Sequence, residues 1–379
     1  MKILIINTDY SDFLVWLYSQ HHGLDQETYT NQLNAFNESL FGVSDFYSRN
    51  LGQLGNEVID IHFNNSNLQE AWLKEKALII PNMSRRQFKF LHRIKPWFSH
   101  NNSKHLYDIL ARQIEYFQPD IVLNQAMDSI NPSFLINNKH NIGMLIGQHA
   151  SPLTKNFDGD LSVYDLVFSS LPNCVNFFKK KGIASELNKL AFDPYVLQRI
   201  DTNSQPIYPV SFVGGLSSNH SKRIHLLEYL CKHRGIKIWG QGIKNIPRDS
   251  LIKSKYAGES WGIAMYNILK HSKITINCHI DMAENFANNL RLYEATGVGT
   301  LLITDWKKNI NDIFEDGKEI VTYKTPEECN ELIEYYLEND DERQKIALAG
   351  QKRTLIDHNY IIRMQEFLEI ISKYAKNAV

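Results

Sequence analysis

Residues 284–305 read ENFANNLRLYEATGVGTLLITD and hold the densest set of groups able to grip a phosphate. Asn288 is a good N-cap, and the N–H groups of Asn289 and Leu290 would then face an anion at the positive end of a helix. Arg291, one turn in, adds a charge-assisted bond to such an anion, and Glu294 on the same helix can accept from ribose hydroxyls. The plainer alternative for Arg291 and Glu294 is an i, i+3 surface ion pair. Upstream, Gly214 and Gly215 end an apolar run and precede Lys222 and Arg223. A turn without side chains lets a phosphate approach the backbone, and the cations counter its charge. A tight strand-to-helix turn is the alternative. Gly240 closes the next apolar run and joins the same candidate set.

A second group lies in the first half of the chain. His149, in GQHA after another apolar run, has an imidazole suited to a reaction centre, with Gln148 as helper. A histidine satisfied by local backbone bonds is the alternative. Asp9 and Asp12 follow the first apolar run and Asp128 the fourth. Each can act as a general base or cap a turn or helix. Asp158-Gly159-Asp160 has the carboxylate spacing that holds a divalent cation, but it stands in a polar loop and the pattern is common by chance, so no metal is expected.

These candidates need elements to position them. Short runs rich in Ile, Val, Leu and Phe alternate with stretches of helical spacing, which predicts parallel sheets covered by helices. Strands are expected at 3–6, 57–62, 78–80, 120–123, 143–146, 165–168 and 186–191, with helices at 44–54, 105–117 and 172–181. Gly55 and Pro119 stand where helices should stop. Polar residues 201–209, with two prolines, form the expected linker. A second alternation follows, with strands at 210–213, 236–239, 273–277 and 300–303 and helices at 223–233 and 289–296. Thr325-Pro326-Glu327-Glu328 is a capping box with proline at the first helical position. The expected architecture is α/β with two doubly wound, Rossmann-like domains, 1–205 and 206–379, facing a central cleft; the last helix is a candidate to pack back on the first domain. Ligands in such sheets bind beyond the carboxyl ends of the strands, where the candidates fall.

Bulk properties narrow the classes. The 379 residues are 43% hydrophobic and 22% charged with a net charge of -1, so no global field exists for gripping nucleic acid. No apolar stretch approaches the ~20 residues that span a bilayer. The opening MKILIINTDY is too short in its apolar run for a signal-peptide core, which gives a cytoplasmic expectation. It also lacks GxGxxG, against a NAD-dependent dehydrogenase. Cys174, Cys231, Cys278 and Cys329 are widely spaced, against a zinc site or a disulfide framework. The stretch 76–107 contains no Asp or Glu, and its Arg85, Lys89 and Arg93 would form one basic stripe on a helix. That stripe is either a solvated helix face or a contact for an anionic membrane surface or phosphorylated glycan.

The ordered series FVGG with downstream Arg223, IWGQG, SKITINCH, RLYEATGVGTLLITD, DGKEIVTY and DERQKIALAGQKRTLIDHNYIIRMQEFL resembles the C-terminal domain of GT-B glycosyltransferases, especially the CgeB-like (spore maturation protein-like) group. LGQLGNEV, QPDIV and the stretch from YDLVFSS to LNKLAFDP resemble a GT-B acceptor domain more loosely. The resemblance implies a nucleotide-sugar donor held by the second domain and a glycan, lipid-linked or other acceptor held by the first. It implies a retaining, metal-independent transfer without a cofactor, as in cell-surface polysaccharide biosynthesis. Glu294 aligns with the second glutamate of the E-x7-E motif, which usually holds the ribose. Phe286 stands where the first glutamate would be, and Glu284 lies two residues earlier. A nucleotide-sugar epimerase of the same architecture and a non-catalytic sugar-nucleotide-binding protein are the alternatives.

Overall fold

A computed structural model of the chain describes residues 1–76, 102–151, 157, 160–216, 221–283 and 285–376. The strand expected at 78–80, the basic stripe of Arg85, Lys89 and Arg93, Asp158 and Glu284 lie outside the described residues.

Six strands form the first sheet: β1 (Lys2–Asn7), β2 (Glu57–His62), β3 (Ile121–Asn124), β4 (Met144–Gln148), β5 (Leu166–Ser169) and β6 (Ser185–Leu187). Their order is β2-β1-β3-β4-β5-β6, and every pairing is parallel. The second sheet holds β7 (Tyr208–Val213), β8 (Ile236–Trp239), β9 (Ser272–Asn277), β10 (Leu301–Asp305) and β11 (Val321–Tyr323), also parallel, in the order β11-β10-β9-β7-β8. Covered parallel strands are apolar on both faces, which is why Ile3, Leu4, Ile5 and Ile6 are all fully buried. Strand order reverses between β1 and β3 and again between β7 and β9, and each reversal opens a crevice at the strand ends.

On one face of the first sheet Ile3, Ile5, Leu123, Ile146 and Phe168 join a core with Phe46, Tyr47 and Leu51 of the helix Phe46–Gln53. Leu4, Ile6, Val122, Leu145 and Val167 pack on the other face. The last helix, Tyr360–Lys376, crosses onto this first unit. Phe367 lies 5.0 Å from Phe168, Tyr360 lies 5.3 Å from Phe46, and the Tyr374 hydroxyl donates to Glu186 at 2.7 Å. The crossing is pinned where Phe192 N–H donates to the His358 carbonyl (2.9 Å) and Tyr360 N–H to the Phe192 carbonyl (3.2 Å).

Several boundaries differ from expectation. Strand β7 starts at Tyr208, inside the expected linker, and includes Pro209. Pairing of β7 with β8 begins only at Val210, so the N–H that proline lacks falls before the ladder on that side needs it. Helices Ser11–Gln20, Tyr29–Glu38, Ser66–Glu75 and Gly262–Lys270 carried no stop signal that marked them. The last begins at Gly262 with φ +52°, where a Cβ would sit 1.9 Å from the Ser39 carbonyl oxygen. This glycine lets the two units touch: Ile263 N–H donates to Ser39 O (2.9 Å), and Trp261 packs edge-on against Phe41 at 4.9 Å. Among the described residues no helix is long and apolar enough to cross a membrane. All four cysteines are buried, and no disulfide joins them.

Asp60, on β2, gives a stability prediction. Burial pushes its carboxyl up to about 6, outweighing a Ser48 hydrogen bond and the His62 charge. The folded value lies above the unfolded one, so the folded state binds the extra proton, and stability is lost as pH rises from about 4 through 6. Asp60→Asn should therefore stabilise the protein by about 1–3 kcal/mol above pH 7 and by nothing near pH 3, as thermal melts across pH would show. A pH-independent effect would contradict this account of Asp60.

Candidate active site

The reversal between β7 and β9 gathers the second-domain candidates. After β7 the turn 214–216 is held against the turn after β8: Gly214 N–H donates to Trp239 O (3.0 Å) and Leu216 N–H to Gln241 O (2.8 Å). Gly215 N–H alone in this turn, among the described residues, makes no backbone bond, which narrows the expected phosphate contact to it. Gly240 has φ +145°, and a Cβ there would lie 1.9 Å from the Gly214 carbonyl oxygen, so its glycine serves the packing of the two turns. Gly240→Ala should cost about 3 kcal/mol or more in stability, because the obstacle is backbone and the φ is unfavourable. Chemical denaturation checks this, and a loss under 1 kcal/mol would contradict the close approach.

Lys222 is exposed at the start of the helix Ser221–His233. Arg223 is buried, and its guanidinium donates to Gly215 O (2.8 Å) and Cys278 O (2.7 Å), tying the β7 and β9 turns together. Both bonds go to main-chain carbonyls of its own domain. It shapes the turn and lends its field, while Nε is buried without a partner. Burial lowers its pKa.

The helix that was to start beside Asn288 starts later, as Arg291–Gly297, with Leu290 at the N-cap. The cap is corrected too: the Asn289 side chain, not that of Asn288, accepts from Leu292 N–H at 3.4 Å. Asn289 is held there because its amide pairs with Asn277 at the end of β9, donating at 2.8 Å. Ala287 is bracketed by Asn309, whose Oδ1 accepts from its N–H at 2.6 Å. These ties hold 287–289 outside the helix, and the Leu290 N–H is left outside the helical ladder. Arg291 and Glu294 form an ion pair at 2.8 Å, but a buried one, with side chains 12% and 8% exposed. Burial raises the Glu294 pKa and the Arg291 charge opposes it. Phe286 lies under the Lys308 ammonium, 4.1 Å from the ring centre.

Two residues at this reversal were not singled out as candidates. His279, just past β9, and Asp305, the last residue of β10, meet with Nδ1 2.6 Å from Oδ1, and the His279 N–H also donates to that oxygen at 2.9 Å. Burial alone would raise the Asp305 carboxyl, but the His279 hydrogen bond and charge, with Lys307 at 3.2 Å, hold it down to about 2. A carboxylate so ionised only accepts, so Nδ1 carries the proton and Nε2 is left without one. Nε2 is buried and has no partner. The signal was positional: β9 and β10 are neighbours with Asn277 opposite Thr304, a fact of strand order that the sequence does not print.

On the first-domain side, His149 is buried against Phe157 (ring centres 4.2 Å apart), and its Nδ1 is 3.6 Å from Asp128, which also accepts from the Ser151 hydroxyl at 3.0 Å. Burial lowers the His149 pKa, against the Asp128 charge, and its Nε2 has no partner. Gln148 accepts from Gln125 and donates to the Tyr47 hydroxyl, both at 2.9 Å, so its amide is engaged away from the His149 ring nitrogens. Asp9 pairs with buried His62 at 3.1 Å. Burial disfavours charge on His62, yet the Asp9 charge and hydrogen bond raise its pKa. Asp12 is exposed in the first turn of the helix Ser11–Gln20. Asp160 is exposed, and its carboxylate accepts from Ser162 N–H at 2.9 Å.

Comparison with known proteins follows from this geometry. Residues 222–369 match the family described as glycosyl transferase-like. No curated protein matches the chain in sequence. Among solved structures it is similar to HepE of Anabaena in complex with UDP-glucose, with 12% identity and a TM-score of 0.58 over 98% of this chain and 100% of that one. It is similar to a glycosyltransferase of Rickettsia africae, with 16% identity and a TM-score of 0.57 over 99% of each chain. It is also similar to AviGT4, a glycosyltransferase involved in avilamycin A biosynthesis, with 12% identity and a TM-score of 0.55 over 99% and 97%. The chain thus has the GT-B fold of two Rossmann-like domains, and the stretch 222–369 that matches the glycosyl transferase-like family contains His279, Arg291, Glu294 and Asp305.

Proposed function

We propose that the protein is a glycosyltransferase of the CgeB-like group that takes a sugar from a nucleoside-diphosphate sugar held at the β7/β9 reversal. The observation that carries this reading is the convergence of the matched segment at one crevice: Arg223, His279, Arg291, Glu294 and Asp305 surround the ends of β7, β9 and β10. Gly215 N–H, Leu290 N–H and the arginine field would stabilise the leaving diphosphate, with Glu294 toward the ribose. The similar Anabaena structure holds UDP-glucose, which makes a UDP-sugar the first donor to try. Transfer proceeds with retention and without a metal, and activity is expected to survive EDTA. The acceptor, a glycan or lipid-linked sugar, sits against the first domain. The test is a thermal-shift screen against UDP, GDP, dTDP and CMP sugars, because a ligand that binds only the native state raises its apparent stability. One class should raise the Tm by several degrees; no shift with any of them would sink the donor reading.

A further inference from the structure

A cavity of about 330 Å³ opens at the corner where the two domains and the crossing helix meet. Leu187 and Lys189 line it from the first domain, at the end of β6, and Asp312 lines it from the second, between β10 and β11. The crossing itself supplies Arg353, Asp357, His358, Arg363 and Glu366. Its size suits a small molecule, and none of the donor-site or acceptor-side candidates lines it. Cations form the inner wall. The Arg363 side chain is only 5% exposed; it donates to Glu366 and to the Asp357 carbonyl, while its Nε has no hydrogen-bond partner. Arg353 pairs with Asp357 at 2.7 Å. The Lys189 ammonium makes no hydrogen bond or ion pair among the described residues. The carboxylates stand at the rim: Asp312 is exposed, and the Asp357 and Glu366 side chains are 44% and 47% exposed. His358 reports the sign of the field inside. Burial chiefly, then the charges of Arg363, Arg353 and Lys189, push its pKa down to about 4 against its bond to the Ile313 carbonyl. The corner thus holds two cationic donors, Lys189 Nζ and Arg363 Nε, that lack an acceptor, where polar groups are nearly always satisfied.

We propose that this corner cavity is an effector site for a small phosphate monoester, whose binding sets how the two domains stand around the donor. A phosphate offers several charged acceptors to arginine and lysine donors at once, whereas a neutral ligand leaves those cations uncompensated. Because the walls come from both domains, an occupant favours the arrangement that brings Lys189 toward Arg353 and Arg363. The path to the donor helix is short: the His358 ring is 5.4 Å from that of Tyr293, the residue before Glu294. The site goes beyond the glycosyl-transfer reading, and its own chemistry does not depend on it.

The test titrates the full chain with glucose 6-phosphate, glycerol 3-phosphate, inorganic phosphate and glucose by calorimetry, with and without saturating UDP or the nucleoside diphosphate that the donor screen selects. At least one phosphate ester should bind about tenfold or more tightly than glucose. Saturating nucleotide should change that affinity about fivefold or more, and by linkage the ester should change nucleotide affinity by the same factor. Lys189→Ala and Arg353→Gln should each weaken the ester about tenfold, while the nucleotide alone binds within about twofold of the parent. Lys189→Ala removes no hydrogen bond or ion pair of the fold and keeps the test valid if Arg353→Gln does not fold. No ester binding better than glucose, or parent-like ester affinity in Lys189→Ala, would overturn the site. Ester binding that the nucleotide leaves unaltered would overturn its role as an effector site. A parent that binds no nucleoside diphosphate would fault the donor reading instead, and the titration of esters against glucose would still decide the cavity.

Discussion

Glu294→Gln should weaken nucleoside-diphosphate binding about tenfold or more and cost less stability than Glu294→Ala, which should lower it by about 3 kcal/mol. The difference comes from Arg291. Its ion pair with Glu294 is almost fully withdrawn from water, and its Nε has no hydrogen-bond partner. Alanine removes both the counter-charge and the acceptor of that buried cation; glutamine removes the charge but keeps a carbonyl acceptor in its place. Calorimetric titration with the nucleotide from the donor screen, paired with thermal melts, separates the effects. Parent-like affinity in Glu294→Gln would remove Glu294 from the donor site.

A larger kinetic effect is expected at His279. His279→Asn should keep the hydrogen bond to Asp305 through its amide but lose Nε2, lowering kcat about 10²- to 10³-fold with donor affinity changed much less. The reason lies in the ionised Asp305 carboxylate, which accepts from Nδ1–H and fixes the orientation of the ring. His279→Gln, which places its amide nearer to the Nε2 position, should recover part of the loss. A KM increase with unchanged kcat would show that His279 only shapes the turn. Asp305→Asn should lower kcat as well, because an amide can present its N–H to Nδ1 and turn the imidazole to the wrong tautomer.

Legibility in the sequence followed local physics. Strand β8 falls where its apolar run predicted it, and the two-sheet α/β architecture matches the alternation, because buried parallel strands must be apolar on both faces. Glu294, Arg291 and the glycine turns came from spacing along one element. What spacing could not show was what lies across the sheet. Asn289 caps the helix in place of Asn288 because Asn277, on β9, holds it. Arg223 faces two carbonyls because the β7 and β9 turns close around it. His279 and Asp305 are 26 residues apart and meet only through the order of β9 and β10. Such pairs depend on long-range contacts that local patterns do not encode.

The account's central claim is that a sugar leaves a nucleoside diphosphate bound at the β7/β9 reversal and reaches an acceptor on the first domain. The most direct measurement is nucleoside-diphosphate release from UDP-glucose and the other donors, with and without neutral sugar acceptors, with the glycoside product followed by mass spectrometry. The account predicts release that rises with acceptor and matches new glycoside one for one. A donor sugar isomerised without any acceptor, or a donor that binds tightly and is never cleaved whatever acceptor is offered, would contradict it.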